Sequence, residues 1–307
     1  MSTPVYAVPA QPVNGFRAAL ARQSGFHAAH HTTARMVNGN MVVEAAEAAD
    51  TTAPRVITLS PTTSPGEDLL ELVLLADALH RCSPAPVVCV LEYLPYSRSC
   101  RLTGERQALG ARAFIRLLES APIDRFYTFD LHAGELLGFF SRPVSTLSTL
   151  PLIGSALGSS PSDVVVGPDR GRYDDCRSLA ATLGCSFDLL LKVRVGHTDS
   201  SRLLGGAGEG IADRRIVLFD DEITRGETAL HAIDALAAAG AEDITFATVY
   251  DFAFAEVRAK VLSHPSVTGM VTTNLGRPAE RTVGEHPAPY TVLDAAPLAA
   301  RELGRHG

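Results

Sequence analysis

The chain has 307 residues, 46% of them hydrophobic, and a formal net charge of -7. That composition supplies a large buried core and excludes wholesale disorder, while the acidic balance argues against a general nucleic-acid binder, which carries a basic face. No apolar run reaches the roughly 20 residues that span a bilayer, and the opening MSTPVYAVPAQPVNGFRAAL lacks the basic start and apolar core of a secretory signal.

A cytoplasmic protein with no membrane and no nucleic-acid partner is therefore expected. Five cysteines, at 82, 89, 100, 176 and 185, form no CxxC pair and are odd in number. Reduced thiols are the simplest reading, with Cys82 and Cys89 as core fillers.

The first thirty residues carry no clear pattern. HAAHHTT (27–33) holds three histidines; a metal cluster and a solvated loop are the competing readings. Short apolar runs follow, each predicting a strand: RVITLS (55–60), PVVCVLEYL (86–94), RFYTFDL (125–131), DVVVGPD (163–169), RRIVLFDD (214–221), DITFATVYDF (243–252) and VTGMVTTN (267–274). Continuous runs of this length suit parallel strands covered on both faces.

Helical patterns lie between them: GEDLLELVLLADALHRC (66–82), TGERQALGARAFIRLLESA (103–121) starting at Thr103, CRSLAATLG (176–184) and TALHAIDALAAAG (228–240). The last two end in Gly, the usual residue past a helix C-terminus. Alternating strands and helices predict an α/β fold with mostly parallel sheets. The pattern occurs twice, which predicts one domain over 1–145, a second over 146–285, and a tail over 286–307 that packs back on the body. The Ser-, Pro- and Gly-rich stretch 141–163 is the connector candidate.

In open α/β sheets, ligands bind beyond the carboxyl ends of strands. Asp130 and His132 leave one strand end, and histidine can ligate a metal or contact phosphate. Asp169 leaves another; its carboxylate suits Mg²⁺, or a helix N-cap. Asp220 and Asp221 leave a third, followed by Thr224, Arg225, Gly226, Glu227, Thr228 and a helix. Such carboxylates can accept hydrogen bonds from two vicinal sugar hydroxyls, and helix N-terminal amides attract phosphate. This order of strand, acid pair, loop and helix is the most specific local signal in the chain.

These segments resemble, in collinear order from about residue 35 to about 275, the ribose-phosphate pyrophosphokinases, or phosphoribosyl diphosphate synthetases. LPYSRSCR, FDLHAGELLGFF, VVVGPDRG, LLKVRV and DDEITRGET each look like a family segment, and DLLELVLLADAL (68–79) looks like its first-domain helix. The resemblance implies two similar phosphoribosyltransferase-like domains, each a mostly parallel sheet flanked by helices. It also implies transfer of the β,γ-diphosphoryl group of ATP to the C1 hydroxyl of ribose 5-phosphate, with Mg²⁺, in a homo-oligomer, either dimer or hexamer. On that pattern His132 and Asp169 hold Mg²⁺–ATP. Lys192 and Arg194 stabilise the migrating group from a mobile loop, with the Gly- and Ser-rich 195–210 as its lid. Arg98, Ser99, Met36, Asn38 and Asn40 face the nucleotide. Asp220, Asp221, Thr224, Arg225, Gly226 and Thr228 hold the ribose phosphate.

The sequence also departs from the family pattern. Ser99 and Cys100 stand for Gln and Asp, MVNGN (36–40) lacks the family's aromatic and two acids, and Thr224, Arg225 and Glu227 alter the ribose-phosphate loop. Arg170 and Arg172 flank Asp169 where small residues are usual. With Arg225 they are expected to add positive charge at the acceptor site. The alternatives are therefore a diphosphokinase with a different phosphorylated riboside or nucleotide, and a non-catalytic regulatory homologue. A phosphoribosyltransferase accounts for neither the Lys192/Arg194 segment nor the duplicated pattern.

Overall fold

The structure is a computed structural model. It describes residues 2–10, 15–46, 52–60, 64–158, 160–195, 198–203, 211–276 and 287–305, with backbone alone over 191–195 and 198–203. The chain divides into two compact units, the first comprising Met1–Ser148, Leu275–Ala279 and Asp294–Gly307, the second Thr149–Asn274 and Glu280–Leu293.

The first unit contains β1 (Thr3–Val8), α1 (Phe16–Ala21), β2 (Phe26–Ala28), β3 (His31–Arg35), β4 (Met41–Ala45), β5 (Arg55–Leu59), α2 (Pro65–Cys82), β6 (Val87–Leu91), α3 (Gly110–Leu118), β7 (Arg125–Phe129) and β8 (Val144–Leu147). Six strands form a sheet in the order β2-β1-β5-β6-β7-β8, every pair parallel. Its central strands are buried throughout, as continuous Val, Ile and Leu runs require when helices cover both faces. Leu69, Leu72, Leu75, Ala76 and Leu79 of α2 pack with Ile57, Leu59, Cys89 and Leu91 in one core. Spacings of three and four put these α2 residues on one helical face. β3 and β4 form a separate antiparallel hairpin.

The second unit contains α4 (Leu150–Leu157), β9 (Val164–Gly167), α5 (Tyr173–Leu183), β10 (Ser186–Val195), β11 (Thr198–Leu203), β12 (Arg215–Ile223), α6 (Glu227–Ala238), β13 (Asp243–Asp251), α7 (Ala255–Leu262), β14 (Val267–Thr273) and β15 (Tyr290–Leu293). Its seven strands run β11-β10-β9-β12-β13-β14-β15, all parallel except the β10–β11 pair. A last helix, α8 (Ala296–Leu303), belongs to the first unit.

Several expectations are corrected. The third helix begins at Gly110, not Thr103. Thr103 uses its amide and hydroxyl on the Gln107 side chain, a local closure that competes with helix. The segment 141–163 is not a plain connector: it holds β8, paired with β7, and α4. Pro151 at the start of α4 needs no amide partner there. Cys82 is exposed at the end of α2, while Cys89 is buried. HAAHHTT is not a solvated loop, since His27 lies on β2 and His31 on β3. His31 is buried, with its Nε2 2.8 Å from Glu71 Oε1. His27 Nδ1 lies 3.0 Å from Ser2 Oγ, so these rings serve separate partners.

Candidate active site

β9 and β12 are neighbours and run parallel, with Val164 opposite Ile216 and Val166 opposite Leu218. Asp169 therefore leaves the sheet just after β9 at the same carboxyl edge where Asp220 and Asp221 lie on β12 itself, which runs on to Ile223 rather than ending at the acid pair as the sequence suggested. Asp169 is extended, and its Oδ1 accepts the Gly171 amide at 2.7 Å, capping a 3-10 turn over Arg170–Arg172. The N-cap reading of Asp169 is thus realised, with the second carboxylate oxygen taking no part in that bond. At Gly167, the last residue of β9, a Cβ would meet Leu189 Cδ2 at 2.7 Å and Arg172 Cβ at 3.0 Å, so the packing there calls for glycine.

Arg172 sits at the centre of the edge. It is 4% exposed. Its guanidinium pairs with Asp175 at 2.9 Å, Asp221 at 3.2 Å and Asp220 at 3.9 Å. Burial pushes the Asp220 carboxyl well above the usual carboxylate range; Asp221 raises it further and Arg172 opposes the rise. The two acids also bond locally: Asp221 N donates to Asp220 Oδ1, and Glu222 N to Asp221 Oδ1, each at 3.0 Å. The expectation that Arg172 adds free positive charge for the acceptor is overturned, because its charge is committed to carboxylates of its own unit. Arg170 and Arg225 are exposed.

The loop after β12 turns at Gly226, with φ of 77°, and α6 starts at Glu227. A Cβ on Gly226 would collide with Val257 Cγ1, so both backbone and packing require glycine. Thr224, Arg225, Glu227 and Thr228 are all exposed. Neither Arg225 nor Glu227 has an ion-pair partner among the described residues. The loop thus presents two hydroxyls, one guanidinium and the first amides of a 12-residue helix.

Lys192 and Arg194 stand on β10, opposite Ser201 and Asp199 of β11, so their backbone is strand rather than loop. Their side chains lie outside the described part. Of the expected lid, residues 196, 197 and 204–210 also lie outside the described residues.

In the first unit, Asp130, Leu131, His132 and Ala133 follow β7 and lead into a 3-10 turn over Gly134–Phe139. His132 is half-buried. Arg101 pairs with Glu135, which ties the 95–101 segment to this turn. Arg98 is exposed. Ser99 Oγ accepts the Gly110 amide at 3.2 Å, so Ser99 caps α3. Met36, Asn38 and Asn40 occupy the exposed tip of the β3–β4 hairpin, where Asn40 N donates to Asn38 Oδ1 at 3.2 Å. Among the described residues, no group of three or more His, Cys, Asp or Glu is placed to hold a metal on its own. None of their helices is long and apolar enough to cross a membrane.

Two parallel-sheet units, one with an acid pair, a glycine turn and a helix start at its carboxyl edge, define an α/β protein of the phosphoribosyltransferase type. Residues 10–121 match the N-terminal domain of ribose phosphate pyrophosphokinase, and 156–265 match the phosphoribosyl transferase domain. The chain is 36% identical over 230 residues to ribose-phosphate pyrophosphokinase 1 of Streptococcus pneumoniae, which covers 73% of this chain and 67% of that protein. It is 33% identical over 243 residues to the putative ribose-phosphate pyrophosphokinase 2 of Streptococcus pyogenes, covering 78% and 72%. Across the whole of both chains it resembles the crystal structure of phosphoribosylpyrophosphate synthetase from Mycobacterium smegmatis, with a TM-score of 0.85 and 25% identity. The chain belongs to the ribose-phosphate pyrophosphokinase family.

Asp175 escaped the sequence reading, and Arg172 entered it only as added charge for the acceptor, not as the counter-ion of the acid pair. Their spacing of three marks only a local pair, and the acid pair that Arg172 meets lies some fifty positions further on.

Proposed function

We propose that this chain transfers the β,γ-diphosphoryl group of ATP to the C1 hydroxyl of ribose 5-phosphate, giving phosphoribosyl diphosphate and AMP. The acid pair Asp220–Asp221 near the carboxyl end of β12, followed by the loop that turns at Gly226 and the start of α6, supports the reading. Two carboxylates accept hydrogen bonds from the ribose diol. Thr224, Thr228, Arg225 and the first amides of α6 receive the 5-phosphate at a helix N-terminus. The sugar is thereby held by both ends with C1 left free.

The C1 hydroxyl oxygen attacks the β-phosphorus. A new C1–O–Pβ linkage forms, the bond from Pβ to the α,β-bridging oxygen breaks, and that oxygen leaves with AMP; the hydroxyl proton passes to solvent. Positioning and charge neutralisation dominate such transfers. Lys192 and Arg194, two residues apart on one strand, supply cationic donors to the migrating group. Arg98 and the Met36–Asn40 hairpin tip receive the nucleotide.

Asp169 suits a hard divalent cation: it is an exposed carboxylate with one oxygen held by Gly171 and the other outside that bond. Mg²⁺ that arrives with ATP can take its other ligands from phosphate and water. Asp169 would hold it on the second unit; for His132, on the first, the same role rests on the family resemblance alone. When bound, it neutralises charge on the phosphoryl oxygens. Homo-oligomeric assembly and a cytoplasmic location belong to the same proposal.

A second reading, a bulkier or more anionic phosphorylated riboside as acceptor, rests on the exposed Arg170 and Arg225. A panel of phosphorylated sugars assayed for diphosphate mass gain separates the two. Ribose 5-phosphate as the best acceptor supports the first; a different riboside outpacing it supports the second.

A further inference from the structure

The acid pair meant for the sugar diol has an electrostatic problem. Asp220 and Asp221 are consecutive, Asp221 is 7% exposed, and it raises the cost of ionising Asp220. Buried carboxylates without a counter-charge take up protons, and a protonated acid loses half its use as a double acceptor. Among the described side chains, Arg172 meets both acids, and it comes from a different element. Arg172 ends the 3-10 turn capped by Asp169 and is itself fixed by Asp175 at the start of α5. Gly167 leaves the space that lets the Arg172 stem pass.

We propose that Arg172 is a positioning residue for acceptor binding: from its ion pairs with Asp220 and Asp221 it orients the two carboxylates for the sugar diol and opposes their protonation, without itself touching the sugar. The inference rests on the reading of this pair as the diol site. Among the described groups, those facing Asp220 are Asp221 on β12, Asp169 before the 3-10 turn, and Arg172; Asp175 and the buried Cys176 of α5 also adjoin Arg172. Of these described groups Arg172 is the cation, and it opposes the rise that burial and Asp221 impose on Asp220, so its removal acts toward protonation.

The test compares Arg172→Met and Arg172→Lys with the unaltered chain. Loss of a charged hydrogen-bonded partner predicts that Arg172→Met weakens ribose 5-phosphate binding by about ten- to a hundredfold in calorimetry. Arg172→Lys recovers part of that loss. The KM for ATP stays unchanged, and the acidic limb of kcat/KM for the sugar moves to higher pH. Sugar affinity in the Met variant within about twofold of the unaltered chain overturns the proposal. Carbon-13 NMR of aspartate carboxyls in the substrate-free protein gives a readout independent of turnover: a carboxyl titrating higher in Arg172→Met supports the proposal, and an unchanged titration overturns it. If the unaltered chain neither binds ribose 5-phosphate nor makes AMP, the functional reading fails while the NMR comparison still decides on Arg172. Should the Met variant not fold, the Lys variant carries the same comparisons with smaller shifts.

Discussion

Glu92 follows β6 and is completely buried in the first unit. Ser60 Oγ donates to its Oε1 at 2.5 Å and Gly276 N to its Oε2 at 3.3 Å. Burial pushes its carboxyl from the ordinary 4.5 up to about 7, against the two hydrogen bonds and Arg17. The folded state therefore keeps a proton that the unfolded chain has released. Stability from this group is fully present below about pH 4.5 and is lost as pH rises through 7. The rise corresponds to about 3 kcal/mol, most of it falling between pH 5 and pH 8. Glu92→Gln keeps the shape and an acceptor while removing the proton equilibrium. It is expected to abolish this part of the pH dependence, so that the variant gains about 2 to 3 kcal/mol on the unaltered chain between pH 5 and pH 8. Urea unfolding followed by far-UV circular dichroism at both pH values measures it, since the chain has no Trp to report by fluorescence. A stability difference between the two proteins that stays constant with pH would refute the reasoning.

Gly226→Ala forces a left-handed backbone on alanine and drives its Cβ into Val257, at a cost of about 2–4 kcal/mol; thermal melting should fall, and the KM for the sugar phosphate should rise more than that for ATP. Arg258→Met strips the partner from Asp251, which is 0% exposed and also accepts Ala253 N and Tyr290 OH. A loss of about 3 kcal/mol in urea unfolding is expected, and an unchanged midpoint contradicts it. Lys192→Ala should lower kcat about a hundredfold or more with little change in either KM, measured by steady-state AMP release. Removing divalent cations with EDTA should abolish AMP formation, and Mg²⁺ should restore it.

The buried parallel strands were legible because a strand covered on both faces is apolar at every position. VVCVL and IVLF announce themselves whatever surrounds them, and the carboxyl edge followed directly from their ends. Other elements were hidden. β1 carries Pro4 and an uninformative start, yet it pairs with both β2 and β5 inside the sheet. β8 and α4 sit in a stretch whose Ser and Pro read as linker, although tertiary packing against β7 and α5 settles them. Thr103 looked like a helix start until its local bonds to Gln107 were seen. At the site, Asp169, Asp220 and Asp221 were marked by the apolar runs they close, although the acid pair lies on β12 itself. The role of Arg172 could not be, because a counter-ion is chosen by three-dimensional proximity and leaves no spacing rule. The same holds for Ser99, whose hydroxyl caps α3 across eleven residues.

The central claim is the reaction itself. The full chain, incubated with Mg²⁺, ATP and ribose 5-phosphate and followed by mass spectrometry, is predicted to release AMP in one-to-one ratio with a sugar phosphate that has gained a diphosphate on C1. Release of ADP instead, or AMP no higher than with Lys192→Ala, contradicts the account.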